Sequence, residues 1–309
     1  MTSQDSLKKK LLLTGVVAAA VLALIVSAQR CVAEETIRVA AVSFEPKKFD
    51  LQANVQRLDQ LFREAHQGGA RIAVAPEGAL EGYVVNEIIA GKESAERMKD
   101  VAIDIDGPVI ERFRKLAEEL KMCLVFGFAE NTEDGIFNCG VFIDQTGHLC
   151  GKYHKMQLAE GYDEAWWFNR LGKKCRAFDT PYGRCGILIC NDRWNPQLAK
   201  IVALDGAQFL VIPSFGSTST KQDDAVLSRA VENSIPVIEA NVGVTLIVSE
   251  NRIAAVDRAR EGITFAEIVI PGARPVEAML RDEEERRFLL WRVDEMKKRR
   301  AKQKSPDTK

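Results

Sequence analysis

Little in this 309-residue chain points to metals, nucleic acid or a repeat architecture. Histidine is scarce: His66, His148 and His154 are the only three, and no CxxC pair accompanies them. Zinc therefore has no ligand set of the usual spacing, and no metal is expected. The charge is nearly balanced, 43 Lys+Arg against 44 Asp+Glu, so no basic excess marks nucleic acid as the partner. Internal repeats and low-complexity tracts are missing, which removes solenoid and collagen-like readings. Seven cysteines form no dense disulfide framework, and a chain of this length needs none. Cys123, Cys139 and Cys185 sit in apolar segments and read as small core residues. No Pro/Gly/Ser linker interrupts residues 35–272, so that stretch reads as one domain.

What is present begins at the N-terminus. Lys8, Lys9 and Lys10 precede an uncharged, mostly apolar run over residues 11–28. A basic start, an apolar centre and small residues at Val26-Ser27-Ala28 match a secretory signal peptide, with a second cut after Cys31-Val32-Ala33. The alternative is an uncleaved membrane anchor at the short end of the about 17 to 25 apolar residues that span a bilayer. Arg30 before Cys31 argues against a lipoprotein signal. Either way residues 1–34 predict an exported (periplasmic or extracellular) or membrane-anchored protein. At the other end, residues 273–309 read as a charged extension with Phe288, Leu289, Leu290 and Trp291 as its apolar patch. Seven basic side chains face one acidic over residues 297–309, which reads as a solvated tail or a contact with an anionic membrane. With +2 on residues 1–34 and +6 on the tail, the body between carries −9.

Between the ends, short β-branched runs alternate with amphipathic stretches. Strands are predicted over residues 36–44, 71–75, 123–129, 137–144, 186–190, 208–213, 236–240 and 244–248. Leu51, Val55, Leu58, Phe62 and Ala65 fall at helical spacing, as do Ile110, Phe113, Leu116 and Leu120. Further helices are expected near residues 197–204 and 223–233. The alternation argues for an α/β layered domain whose sheet is covered by helices.

Three reactive residues stand at or just beyond strand ends, where α/β sheets offer their chemistry. Glu77 follows Ile72-Ala73-Val74-Ala75-Pro76, Lys155 ends Gly151-Lys152-Tyr153-His154-Lys155, and Cys190 ends Gly186-Ile187-Leu188-Ile189. A free thiol is only a few per cent thiolate near neutrality. A carboxylate that takes the thiol proton and an ammonium that favours the thiolate would turn Cys190 into a nucleophile.

These blocks resemble the nitrilase, or carbon–nitrogen hydrolase, superfamily. They are Ala75-Pro76-Glu77-Gly78 with Gly82-Tyr83, then Gly151 to Leu158, then Gly186-Ile187-Leu188-Ile189-Cys190-Asn191-Asp192-Arg193. Arg229-Ala230-Val231-Glu232-Asn233 and Ala240-Asn241-Val242-Gly243 support them. The resemblance implies a four-layer α-β-β-α sandwich and a hydrolase of non-peptide C–N bonds working through a cysteine thioester. It implies Glu77 as general base, Lys155 as oxyanion stabiliser and Cys190 as nucleophile, assisted by Glu164 and by the Asn191 backbone N–H. No cofactor is implied, and a homo-oligomer is expected. Asn191-Asp192-Arg193-Trp194 after the cysteine looks more like the N-carbamoyl amino acid amidohydrolase or amidase branch than a true nitrilase. Acyl transfer and a catalytically silent binding protein are the other readings. Tyr83, Arg193 and Trp194 are candidates for substrate contact, Arg193 as a carboxylate clamp or as a structural ion pair. Trp166 and Trp167 are candidates for the pocket wall. His154 and Gln157 depart from the arginine and histidine usual at their positions.

Overall fold

The computed structural model describes residues 35–304, so the segment read as signal or anchor over residues 11–28 lies outside the described residues. The first strand shows how the layers arise. In β1 (Glu35–Ser43), Ile37, Val39 and Ala41 enter one apolar core while Ala40 and Val42 enter another. Alternate side chains point to opposite faces, so the continuous apolar run Val39-Ala40-Ala41-Val42 must be covered on both sides.

The first sheet continues with β2 (Ile72–Val74), β3 (Cys123–Thr132), β4 (Gly135–Ile143) and β5 (Leu149–His154). The second contains β6 (Ala177–Thr180), β7 (Gly183–Ile187), β8 (Phe209–Ser214), β9 (Val237–Asn241), β10 (Val244–Ser249) and β11 (Arg252–Asp257). A last strand, β12 (Gly262–Ile270), returns to β1, giving the orders β12-β1-β2-β3-β4-β5 and β11-β10-β9-β8-β7-β6. Helices α1 (Leu51–Gln67) and α2 (Pro108–Leu120) cover the first sheet through Leu58, Phe62, Phe113 and Leu116. Helices α3 (Pro196–Leu204) and α4 (Thr220–Asn233) cover the second through Leu198, Val202, Val226 and Ala230. The result is an α-β-β-α sandwich. Strands β1 to β3 and β7 to β9 run parallel, which sets the ends of β2, β7 and β8 side by side at one rim.

Strands β5, β6, β11 and β12 are additional to those predicted. Strands β5 and β6 lack a continuous apolar run, β11 is mostly exposed, with Ile253 and Val256 facing outward, and β12 is largely half-buried. After Gly243 the chain forms the β10–β11 hairpin before β12 returns to the first sheet.

The charged tail requires a larger correction. Residues Ala278–Lys304 form a helix, α5, and it packs on the body instead of trailing in solvent. Phe288 is fully buried and Met296 nearly so. Around them Glu285 pairs with Arg176 at 2.6 Å, and Lys200 pairs with Glu284 at 2.6 Å. Among the described residues, no helix is long and apolar enough to cross a membrane.

Because Phe288 anchors α5 in the common core, Phe288→Ala is expected to lower unfolding free energy by about 3 to 5 kcal/mol. Urea denaturation measures it. A change below about 1 kcal/mol would mean that α5 is not part of the cooperative unit.

Candidate active site

Glu77 leaves β2 through Ala75-Pro76, and its backbone N–H donates to Ser214 O of β8 at 3.3 Å. Gly127 of β3 lies directly behind it, where a Cβ would sit 2.6 Å from Glu77 Cα. Lys155 follows β5, and its N–H donates to Asn138 O at 2.9 Å. Cys190 opens a 3₁₀ turn (Cys190–Trp194) with φ of +45°, a conformation rare for a residue with a side chain. Such strain persists only where the surroundings over-determine it. Here Asp192 supplies the hold: its carboxylate accepts from Ile189 N at 3.0 Å, Tyr153 OH at 2.9 Å and Gln157 N at 2.9 Å.

The three side chains converge. Glu77 and Lys155 are fully buried and paired, Oε1 to Nζ, at 2.5 Å. Asn138 Nδ2 donates to the same oxygen at 2.7 Å, and Phe215 N donates to Oε2 at 3.0 Å. The Cys190 thiol donates to Phe215 O at 3.4 Å, so one residue's main chain touches both Glu77 and Cys190. Burial pushes the thiol up to about 12; the charge of Glu77 adds to this, and Lys155 and Arg193 oppose it. Burial also works against the Lys155 charge, but Glu77, Cys190 and Glu160 outweigh it and hold the ammonium above its ordinary range. The resting site thus holds a protonated thiol beside a carboxylate–ammonium pair. A carboxylate here can take the thiol proton as attack begins, and the ammonium can neutralise an oxyanion.

The remaining predicted residues fall differently. Glu164 is on the surface, paired with Lys297 of α5 at 2.5 Å, so it does not join the cluster. Glu160 does: it is buried, accepts the Tyr83 hydroxyl, and acts electrostatically on Lys155. Sequence reasoning missed it because the 156–172 segment has no helical or strand period against which to count. Tyr83 is occupied by Glu160, stacks on Phe215 with ring centroids 5.1 Å apart, and lies under Lys155 Nζ at 5.6 Å. Its contacts support neighbouring site residues. Asn191 exchanges hydrogen bonds with Gln157, Nδ2 to Gln157 O at 3.1 Å and its own carbonyl from Gln157 Nε2 at 3.3 Å.

Of the two readings for Arg193, the structure supports the ion pair. Arg193 is 1% exposed, pairs with Glu239 of β9, and donates to Ser214 Oγ at 2.8 Å. Trp194 is 43% exposed and stands outside this cluster. Trp166 is buried and packs on Phe168 at 5.7 Å. Among the described residues, Glu130, Cys139 and His154 could hold a metal, their ligand atoms lying within 4.8 Å of one another. Both Glu130 oxygens are already taken, by Lys152 and by His154 at 2.5 Å, so the group reads as an ion-paired brace on the edge strand β5.

A buried thiol beside a carboxylate and an ammonium, on the rim of an α-β-β-α sandwich, defines a thiol hydrolase of the nitrilase fold. A family model described as carbon-nitrogen hydrolase matches residues 38–277, and the chain belongs to that family. It is similar to an N-carbamoylputrescine amidase of Solanum tuberosum, 32% identical over 219 residues, 70% of this chain and 71% of that protein. The corresponding amidase of Oryza sativa subsp. japonica is 33% identical over 221 residues, 70% of each chain. In fold it resembles a variant of an amidase from Nesterenkonia sp. AN1 that carries the Michael adduct of acrylamide on its active-site cysteine. That likeness has a TM-score of 0.63 at 21% identity and covers 74% of this chain and 92% of the other. The protein is a carbon–nitrogen hydrolase acting on C–N bonds other than peptide bonds.

The buried charges of the site and its surroundings can be tested directly. Arg193→Met strands the buried Glu239 charge and is expected to cost about 3 to 5 kcal/mol, most of it regained in Arg193→Met/Glu239→Leu. Denaturant melts of the two variants decide this. Glu81, whose Oε2 accepts from Ala129 N at 3.0 Å, is pushed by burial from 4.5 to about 7. Between those values the folded chain keeps a proton that the unfolded chain has released, so stability fades as pH rises through the window. Glu81→Gln should therefore melt higher than the parent above pH 7, and the gain should vanish below about pH 4.5. Thermal melts across that range measure it.

Proposed function

We propose that this enzyme hydrolyses small primary amides or N-carbamoyl compounds with Cys190 as nucleophile, Glu77 as general base and Lys155 as oxyanion stabiliser. The observation that carries this reading is the linkage of all three: Glu77 is paired with Lys155, and the Phe215 main chain faces Glu77 with its N–H and the thiol with its carbonyl. Sγ bonds to the carbonyl carbon while its proton passes to Glu77. The oxyanion is held by Lys155 and the Asn191 N–H; one such donor is worth about 3 to 4 kcal/mol. Glu77 then gives the proton to the departing nitrogen, which leaves as ammonia or an amine. Water attacks the resulting thioester, Glu77 takes its proton, and Sγ recovers one as the acid is released.

Glu160 serves as the assisting carboxylate in place of Glu164. Its second oxygen, Oε2, is buried with no hydrogen-bond partner among the described residues. The N–H of an amide or carbamoyl group can fill that place, and a nitrile carries no such donor. This favours amides over nitriles, as do the two relatives named for an N-carbamoyl substrate. A cavity of about 360 Å³ shares Phe215 with the site and is lined by Glu45, Arg258 and Arg260. It suits a substrate tail that carries charge.

Export or tethering through residues 11–28 belongs to the same proposal, and N-terminal sequencing of the mature protein tests it. Self-association also belongs here, with the exposed Leu290 and Trp291 of α5 as supporting apolar surface; sedimentation measures it. For the chemistry, amides, N-carbamoyl amines and nitriles are assayed by ammonia release and intact mass. Cys190→Ala and Glu77→Gln are each expected to lose about 10³-fold or more in kcat/KM, and the parent to show a transient acyl adduct on Cys190. Turnover by Cys190→Ala at the parent's rate overturns the mechanism. A nitrile preferred over every amide overturns the substrate class.

A further inference from the structure

Helix α5 lies against the segment that joins Lys155 to the second sheet, and the contacts are built at three levels. At the neck, Gly172 N donates to Lys155 O at 2.9 Å, so the two ends of the 156–172 loop meet. Gly172 has no room for a side chain, since a Cβ would lie 2.0 Å from His154 O. Over this neck sits Arg292, 7% exposed, whose Nη1 donates to Gly172 O at 2.5 Å and to Met156 O at 3.4 Å. Farther along, Gly161, the residue after Glu160, lets the helix approach: a Cβ there would be 2.8 Å from Arg300 Cβ and 3.0 Å from Met296 O. At the tip, Lys297 pairs with Glu164, and the Arg300 guanidinium lies 5.1 Å from the Trp166 ring centre.

Burying a guanidinium is costly unless its donors are used, and burial pushes Arg292 below its ordinary range. An apolar residue would pack there without that cost, so stability alone does not account for an arginine. What arginine supplies is a donor fixed toward the two carbonyls that follow Lys155 and precede the second sheet. We propose that Arg292 is a positioning residue for hydrolysis, and that α5 is a brace holding Lys155 and Glu160 in register with Cys190. This rests on the triad reading above. The first half of α5 is tied to α3 and the core independently, through Glu284, Glu285 and Phe288, so the brace can be removed while the anchor stays.

The test uses the full chain as parent, with Arg292→Met, Arg292→Lys and a chain ending at Trp291. Three quantities are read: kcat and KM on the best amide, the pH profile of Cys190 alkylation by iodoacetamide, and the thermal melt. Arg292→Met and the truncation are expected to lower kcat at least tenfold with KM within about threefold, while melting cooperatively. Their alkylation profiles should move to higher pH, because Lys155 no longer sits where it favours the thiolate. Arg292→Lys should recover part of kcat. Parent-like kcat and alkylation profile in Arg292→Met overturn the proposal, as does an activity loss fully matched by loss of folded protein. Should both variants fail to fold, Lys297→Ala/Arg300→Ala loosens only the tip; a kcat lowered threefold or more supports the brace, and an unchanged kcat refutes it. Loss of the triad reading itself looks different: the parent then shows no Cys190-dependent turnover at all.

Discussion

Everything at this site depends on one buried ion pair. Glu77 and Lys155 meet at 2.5 Å with neither side chain exposed. Desolvating two charges can exceed their attraction unless further hydrogen bonds complete each partner. The surrounding residues provide that completion: Asn138 and the Phe215 N–H finish the carboxylate, while Glu160 and the Tyr83 ring flank the ammonium. The thiol stays protonated in the same enclosure, pushed up to about 12 by burial first and by Glu77 second. In the proposed reaction the thiol proton moves to Glu77 as the oxyanion develops beside Lys155. Charge is then transferred within the enclosure, and no isolated thiolate has to form first.

The sandwich makes this pair possible by delivering its parts from both sheets. Glu77 comes from the end of β2 and Lys155 from β5, both in the first sheet, while Cys190 and Phe215 leave β7 and β8 of the second. Gly140 permits the close spacing between sheets, since a Cβ there would meet Ile187 Cγ2 at 3.0 Å, and Gly127 lets Glu77 lie close along β3, where a Cβ would meet Glu77 Cα at 2.6 Å. The Cys190 backbone is held at positive φ by Asp192, and the turn is backed by Arg193, Glu239 and Ser214. The polar residues just after the cysteine therefore serve the geometry of the turn. That is why the substrate-clamp reading of Arg193 gives way to the ion pair.

Legibility in the sequence depended on how local each signal is. Lys155 follows β5, which shows no apolar run, and was legible through its family block. Glu77 and Cys190 each come after a strand whose apolar run is visible, so their placement at one rim could be read directly. Glu160 could not: it sits in an irregular loop whose only local cue is Gly161, a position with φ of +85°. Counting to Glu164 landed on a surface residue instead. The helix α5 failed differently. Phe288, Arg292, Met296 and Arg300 recur every fourth residue, the spacing of one helix face. With arginine at two of the four places, that face looks like a solvated stretch. Burial of Arg292 on backbone carbonyls is a tertiary fact that no local pattern announces.

The family match ends at residue 277, and α5 begins at Ala278. The strands that carry Glu77, Lys155 and Cys190 are thus held in common with the family, whereas the helix resting on the Glu160 loop lies beyond the matched span. The sheet rim fixes Glu77 and Cys190 whatever the chain does after residue 277. The loop after Lys155 is tied back to β4, where Ile136 N donates to Trp167 O and Arg170 N to Ile136 O, each at 2.8 Å, and its neck is a backbone hydrogen bond capped by Arg292. In this chain, then, the wall of the site formed by Glu160 and Tyr83 also leans on a helix outside the shared domain. Change along α5 can thereby tune that wall and the seat of Lys155, while Cys190 keeps its own turn.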